Sequence, residues 1–107
     1  LTLYWRALAQ MDTSYTTFVQ VIDGNGKKIA QVDRLPCDGD CPTTTWRPSD
    51  LVGERYDLPI QGDAQPGRYQ IIAGMYNLET NENLVWCDTQ GNPSRPTLEL
   101  GAVEVLP

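Results

Sequence analysis

Apolar residues at Leu1, Leu3, Trp5, Ala7 and Ala9 alternate with Thr2, Tyr4 and Arg6. That period of two predicts a first strand with its odd face inward and Trp5 in the core. From Tyr15 to Ile22 apolar side chains fall on both faces, with Thr17, Val19 and Val21 on one and Phe18 and Ile22 on the other. A strand buried on both sides is a central one. Asp23-Gly24-Asn25-Gly26 then supplies residues that tolerate positive φ in a tight turn, so Lys27 to Asp33 returns as a third strand. Its mixed pattern and two lysines suit a sheet edge. Leu35 to Asp50 has no helical or strand period and reads as a long irregular stretch. The fourth strand runs from Val52 to Leu58, with Val52, Tyr56 and Leu58 inward, Glu54 near a rim, and Pro59 ending its ladder.

The second half of the chain restarts at Pro66-Gly67-Arg68-Tyr69, a turn that opens a fifth strand, Arg68 to Tyr76, with Tyr69, Ile71, Ala73 and Met75 at period two. A tyrosine there is placed to anchor the turn by bonding its hydroxyl to an upstream backbone group, the tyrosine corner of immunoglobulin-like sandwiches. Asn77 to Asn83 is a polar turn into a short sixth strand, Leu84 to Cys87, expected to form a hairpin with the fifth. A loop from Asp88 to Pro96 leads to the last strand, where the apolar pairs are Leu98 with Leu100 and Val103 with Val105. The parity switches at Gly101, which predicts a β-bulge. The fold class is therefore all-β: an immunoglobulin-like antiparallel β-sandwich of about seven strands, forming a single domain over residues 1–107.

Charge narrows the partners. Eight basic against fourteen acidic residues leave a net charge of -6, which opposes binding to phosphate backbones and anionic lipid. Nucleic acid is thus not an expected partner. Apolar runs fall far short of the ~20 residues that cross a bilayer as a helix, so this segment is not expected to insert. Beginning inside a strand at Leu1, without Met, it reads as a fragment of a longer protein.

Three cysteines, Cys37, Cys41 and Cys87, occur with no histidine. A Cys37–Cys41 bridge closes a loop of about five residues, worth roughly 2 kcal/mol in the loop-entropy model before strain, and suits an oxidising compartment. The alternative is three unpaired thiols with Cys87 a small buried hydrophobe. In an immunoglobulin-like order, Cys37 and Cys87 fall at opposite edges of one sheet, more than ~10 Å apart and beyond disulfide reach.

The strings LTLYWRALAQMDTSYTTFVQVIDGNGKKIAQVD, TTTWRPSDLVGERYDLPI and PGRYQIIAGMYN resemble a recurring bacterial β-sandwich domain. It is found at the C-terminal, extracytoplasmic end of multi-spanning membrane proteins of the dolichyl-phosphate-mannose glycosyltransferase type. The resemblance covers nearly the whole chain and is carried by structural positions: Leu3-Tyr4-Trp5, Phe18-Val19, Trp46 with Pro48, Arg55-Tyr56, and Pro66-Gly67 with Tyr69. Glycine is usual in that pattern where this chain has Ser49, and the CDGDC insertion is not typical of it. The resemblance implies a further strand before Leu1, catalysis in an absent membrane portion, and no catalytic residue or cofactor here. It also implies a parent membrane protein or envelope component as the partner.

Oxygen clusters at Asp38 and Asp40, or Asp23 and Asn25, lack the full spacing of a calcium loop, and the C-x3-C pair stands without further zinc ligands. No metal site is expected. Without histidine the usual base of a nucleophilic triad is missing, so no catalytic residue is assigned. Trp46, Tyr76 and Trp86 are aromatics that periodicity does not force inward, and they are the candidates for a glycan surface; the competing reading has Trp46 and Trp86 capping the two ends of the core. The expected function is a non-catalytic accessory module at the cell surface, structural or interacting, with a carbohydrate-binding module as the alternative.

Overall fold

The computed structural model describes residues 1–60, 62–87, 90 and 92–106, with residues 87, 94 and 95 described by their main chain alone. Among the described residues the chain forms β1 (Thr2–Arg6), β2 (Thr16–Ile22), β3 (Lys28–Arg34), β4 (Leu51–Arg55), β5 (Gly67–Tyr76), β6 (Trp86–Cys87), β7 (Pro93–Arg95) and β8 (Leu98–Val105). Short 3-10 turns occupy Pro36–Gly39 and Thr43–Thr45 of the irregular stretch. The fold is all-β and antiparallel. One sheet has the order β3-β2-β5-β8, a second pairs β1 with β4, and β6 pairs with β7.

Strand positions follow from the side-chain patterns. β2, apolar on both faces, lies between β3 and β5, while β3 with its exposed Lys28 is an edge. The turn joining them is held by Asp23, whose Oδ1 accepts the N–H groups of Asn25 (2.9 Å) and Lys27 (2.8 Å), with Gly26 at a φ of 81°. β1 and β4 bring Trp5 opposite Val52. Trp5 of this pair, with Ala7 and Tyr56 just beyond its strands, meets Val19 of β2 and Ala73 and Met75 of β5 in one buried cluster. A second cluster gathers Val21, Ile29, Ala30 and Tyr69, and Leu58 and Ile71 pack against both. Full burial of such side chains is worth roughly 1.5–3 kcal/mol each.

Tyr69 makes the corner expected of it: its hydroxyl donates to the Gln65 carbonyl at 2.6 Å. The bulge is also present, since Ile71 pairs with Gly101 and Ile72 with Glu99, leaving Leu100 as the extra residue. Gly101 has a φ of 156°, a conformation that side-chain-bearing residues rarely adopt. The inward set differs by one residue from expectation. Leu98, Val103 and Val105 pack on the clusters, whereas Leu100 is 39% exposed because the bulge itself takes up that position.

Two further expectations are corrected. β5 and the segment after it begin a hairpin, with Tyr76 bridged to Asn83 and the Leu84 N–H donating to the Met75 carbonyl at 2.8 Å. The ladder stops there, and β6 turns away to pair with β7, a short strand inside the expected loop. Part of that loop, residues 88, 89 and 91, lies outside the described residues. Glu54, assigned to a rim, is 5% exposed, because it shares the inward face of β4 with Val52 and Tyr56 and the cysteine loop folds across it.

Candidate functional site

The irregular stretch from Leu35 to Asp50 is pinned to the two sheets by buried polar groups. Cys37 and Cys41 form a disulfide with a Cα separation of 5.2 Å. Cys37 and Asp38 both sit at positive φ (54° and 55°), and the Cys37 N–H donates a hydrogen bond to the buried carboxylate of Glu54. Arg34 joins the same group: its Nη2 lies 2.9 Å from Asp38 Oδ1 and 3.6 Å from Glu54 Oε2, and its Nη1 donates to the Arg55 carbonyl at 2.9 Å. Its guanidinium carbon also stands 5.8 Å from the Tyr56 ring centre.

Behind it, Thr17 donates to the Arg34 carbonyl (3.0 Å) and Trp5 Nε1 donates to the Tyr56 hydroxyl (3.3 Å). With the single Thr17 proton used, the Tyr56 hydroxyl is the donor in its 2.8 Å bond to Thr17 Oγ1. Thr43, fully buried, donates to the Thr13 carbonyl (2.6 Å) and accepts the Tyr15 N–H (3.0 Å). This network pairs most of its buried polar groups, Arg34 Nε being left without a partner, and holds loop to sheet. Asp38 and Asp23, weighed for calcium, are engaged with Arg34 and with the turn N–H groups. The bridged sulfurs of Cys37 and Cys41 carry no thiolate to offer zinc.

The three glycan candidates do not come together. Trp46 is 3% exposed, with its indole N–H donating to the Cys41 carbonyl at 2.9 Å, so it presents no face to a ligand. The irregular stretch folds back and carries it into the same cluster as Trp5. Trp86 is half-buried and stacks on Trp5, ring centres 5.7 Å apart and planes inclined by 24°. Tyr76 alone lies on the other side of the four-stranded sheet, one residue out of phase with the inward Met75.

On that outer face Tyr76 borders a cleft of about 490 Å³ shared with Gln20, Asp33, Asn81, Asn83 and Leu78. Phe18 is its floor, 5% exposed and 6.0 Å from the Tyr76 ring centre. The floor depends on Gly74, the cross-strand partner of Phe18, where an added Cβ would stand 2.6 Å from the Phe18 ring. The Tyr76 hydroxyl donates to Asp33 Oδ2 at 2.7 Å, and the Gln31 side-chain amide donates to Oδ1 of the same carboxylate. Hydrogen bonding to Asp33, then burial and the Asp33 charge, push the Tyr76 phenol up to about 12. The side-chain amides of Gln20, Asn81 and Asn83 make no hydrogen bond among the described residues. Sequence reasoning found Tyr76 but not its neighbours, because they converge from β2, β3 and the 77–83 turn.

A larger groove of about 760 Å³ lies between the sheets, where Leu58 and Ile60 face Ile71, Val103 and Val105. Its lining is mostly apolar. No known protein family, curated protein or solved structure matches this chain, so the functional reading rests on its own residues and geometry.

Proposed function

We propose that this chain is an immunoglobulin-like β-sandwich serving as a non-catalytic, extracytoplasmic module of a larger envelope protein, with a structural or interaction role. The sandwich reading is supported by a four-stranded sheet whose inner strand opens on a tyrosine corner, packed across a shared core from a two-stranded sheet. The observation that carries the role is the use made of the buried polar chemistry. The Cys37–Cys41 bridge, Glu54 and Thr43 all fasten the 35–50 stretch, and their donors and acceptors point at protein groups rather than into a cleft. A bridge in a loop of this kind persists in oxidising surroundings.

The test is thiol trapping in cells that carry the full-length parent protein. Alkylation before lysis, followed by peptide mapping, should find Cys37 and Cys41 protected and linked. Finding both freely alkylated would overturn the extracytoplasmic placement. An interaction role also requires a surface that takes a partner, and the outer face of the four-stranded sheet supplies a polar cleft.

A further inference from the structure

We propose that the Tyr76 cleft binds a neutral oligosaccharide. Four observations carry the assignment. First, about 490 Å³ falls within the range of small-ligand sites. Second, the cleft offers apolar and polar surface together: the Tyr76 ring and Leu78, 68% exposed, can meet the C–H face of a pyranose. Third, Gln20, Asn81 and Asn83 present side-chain amides with both donor and acceptor capacity and no bond among the described residues. Such groups match sugar hydroxyls, which also donate and accept. Fourth, Asp33 is held in place by Tyr76 and Gln31, each taking one oxygen, and each oxygen keeps a second lone pair for a hydroxyl donor.

Charge selects among sugars. With a carboxylate inside the cleft and a net charge of -6, uronic acids and sulfated glycans are repelled. The floor and the Tyr76–Asp33 pair are fixed before binding, since Phe18 is buried under Tyr76 against Gly74 and the Tyr76 hydroxyl is bonded to Asp33. That part of the site loses little freedom when a ligand docks. This inference rests on the reading of the domain as an interaction module and names the ligand class of its cleft.

The experiment is a two-dimensional NMR titration of the isotope-labelled chain with cellotetraose, chitotetraose and mannotetraose at millimolar concentrations. Tetragalacturonate serves as the anionic comparison. At least one neutral tetrasaccharide should shift the side-chain amide signals of Gln20, Asn81 and Asn83. Gln20→Ala and Asn83→Ala should each weaken binding by about tenfold with an unchanged thermal midpoint, because neither side chain holds the fold together. Three results overturn the proposal: no shift at the cleft with any neutral sugar, shifts that these two variants leave intact, or equal binding of tetragalacturonate. Failure here with Cys37 and Cys41 linked in cells leaves the module reading standing, whereas free cysteines in cells overturn that reading whatever the sugars do.

Discussion

Replacing Ser49 with glycine should stabilise the protein, against the usual direction of mutation. Arg47 to Asp50 form a turn in which the Asp50 N–H donates to the Arg47 carbonyl (2.9 Å) and Asp50 Oδ2 accepts the Arg47 N–H (2.8 Å). Pro48 occupies the second position, and Ser49 in the third has a φ of 75°. That combination is a type II arrangement, which favours glycine at the third position. An L-residue held there costs about 1–2 kcal/mol, and glycine removes that cost while adding about 0.5–1 kcal/mol of unfolded-state entropy to be lost. With the middle of each range the net gain is about 0.5–1 kcal/mol. Ser49 is exposed, so little packing is lost. Its N–H donates to the Ala7 carbonyl at 2.7 Å, and glycine keeps that bond. For a domain near this size the gain corresponds to roughly 2–6 °C in thermal midpoint. Urea unfolding should show a raised midpoint with an unchanged slope, and Ser49→Ala, which keeps the Cβ, should show no gain. A neutral or destabilising Ser49→Gly would refute the strain argument. A gain shared by Ser49→Ala would place the cause in the serine hydroxyl instead.

Four other outcomes are expected. Glu54→Ala removes the acceptor of the Cys37 N–H and a carboxylate near Arg34, and should cost about 2–4 kcal/mol in urea unfolding, more than Glu54→Gln, which keeps an oxygen there. Equal losses for the two would mean that the hydrogen bond carries nothing. Gly74→Ala puts a Cβ 2.6 Å from the Phe18 ring and 3.1 Å from the Pro96 carbonyl oxygen. It should destabilise by about 1–3 kcal/mol, with part of the loss recovered in the double variant with Phe18→Leu. Tyr69→Phe deletes the 2.6 Å bond to Gln65 and should cost about 1 kcal/mol in the same measurement, with an unaltered circular dichroism spectrum. In near-ultraviolet titration Tyr76 should ionise late, at about 12 rather than 10.0, and Tyr76→Phe should remove that step. Because the native state holds this proton longer than the unfolded chain, the stabilisation is whole below pH 10.0 and is lost as pH rises toward about 12.

What could be read from the sequence was whatever is local. Tyr69 follows Pro66-Gly67 closely enough that its hydroxyl has only nearby carbonyls to reach, and the Gly101 parity switch is visible in four apolar residues. The assignment of Leu100 to the interior failed because a parity switch shows that one residue is extra without showing which. Glu54 was misplaced, and Trp46 left between two readings, for a different reason. Period two places Glu54 on the inward face, but a charge there is acceptable only with partners, and those come from Arg34 and Cys37, which are distant in sequence. Likewise nothing near Trp46 in sequence says that the stretch will fold back and offer its indole the Cys41 carbonyl.

The same division separates Tyr76 from its cleft. One aromatic at the end of a strand is legible, but a site is a convergence, and this one draws on β2, β3, β5 and the following turn. Gly74 is the residue that makes the convergence possible. Along β5 it reads as a weak strand residue, and its reason appears only across the sheet, where the missing Cβ leaves room for the Phe18 ring against the backbone. Tyr76 can then rest beside Phe18 with its hydroxyl at Asp33 on the far edge strand. A larger residue at position 74 would lift the floor before it touched any ligand. Stability and binding should therefore fall together in Gly74→Ala but separate in Asn83→Ala, which is how a fold-determining glycine differs from a ligand-contacting amide.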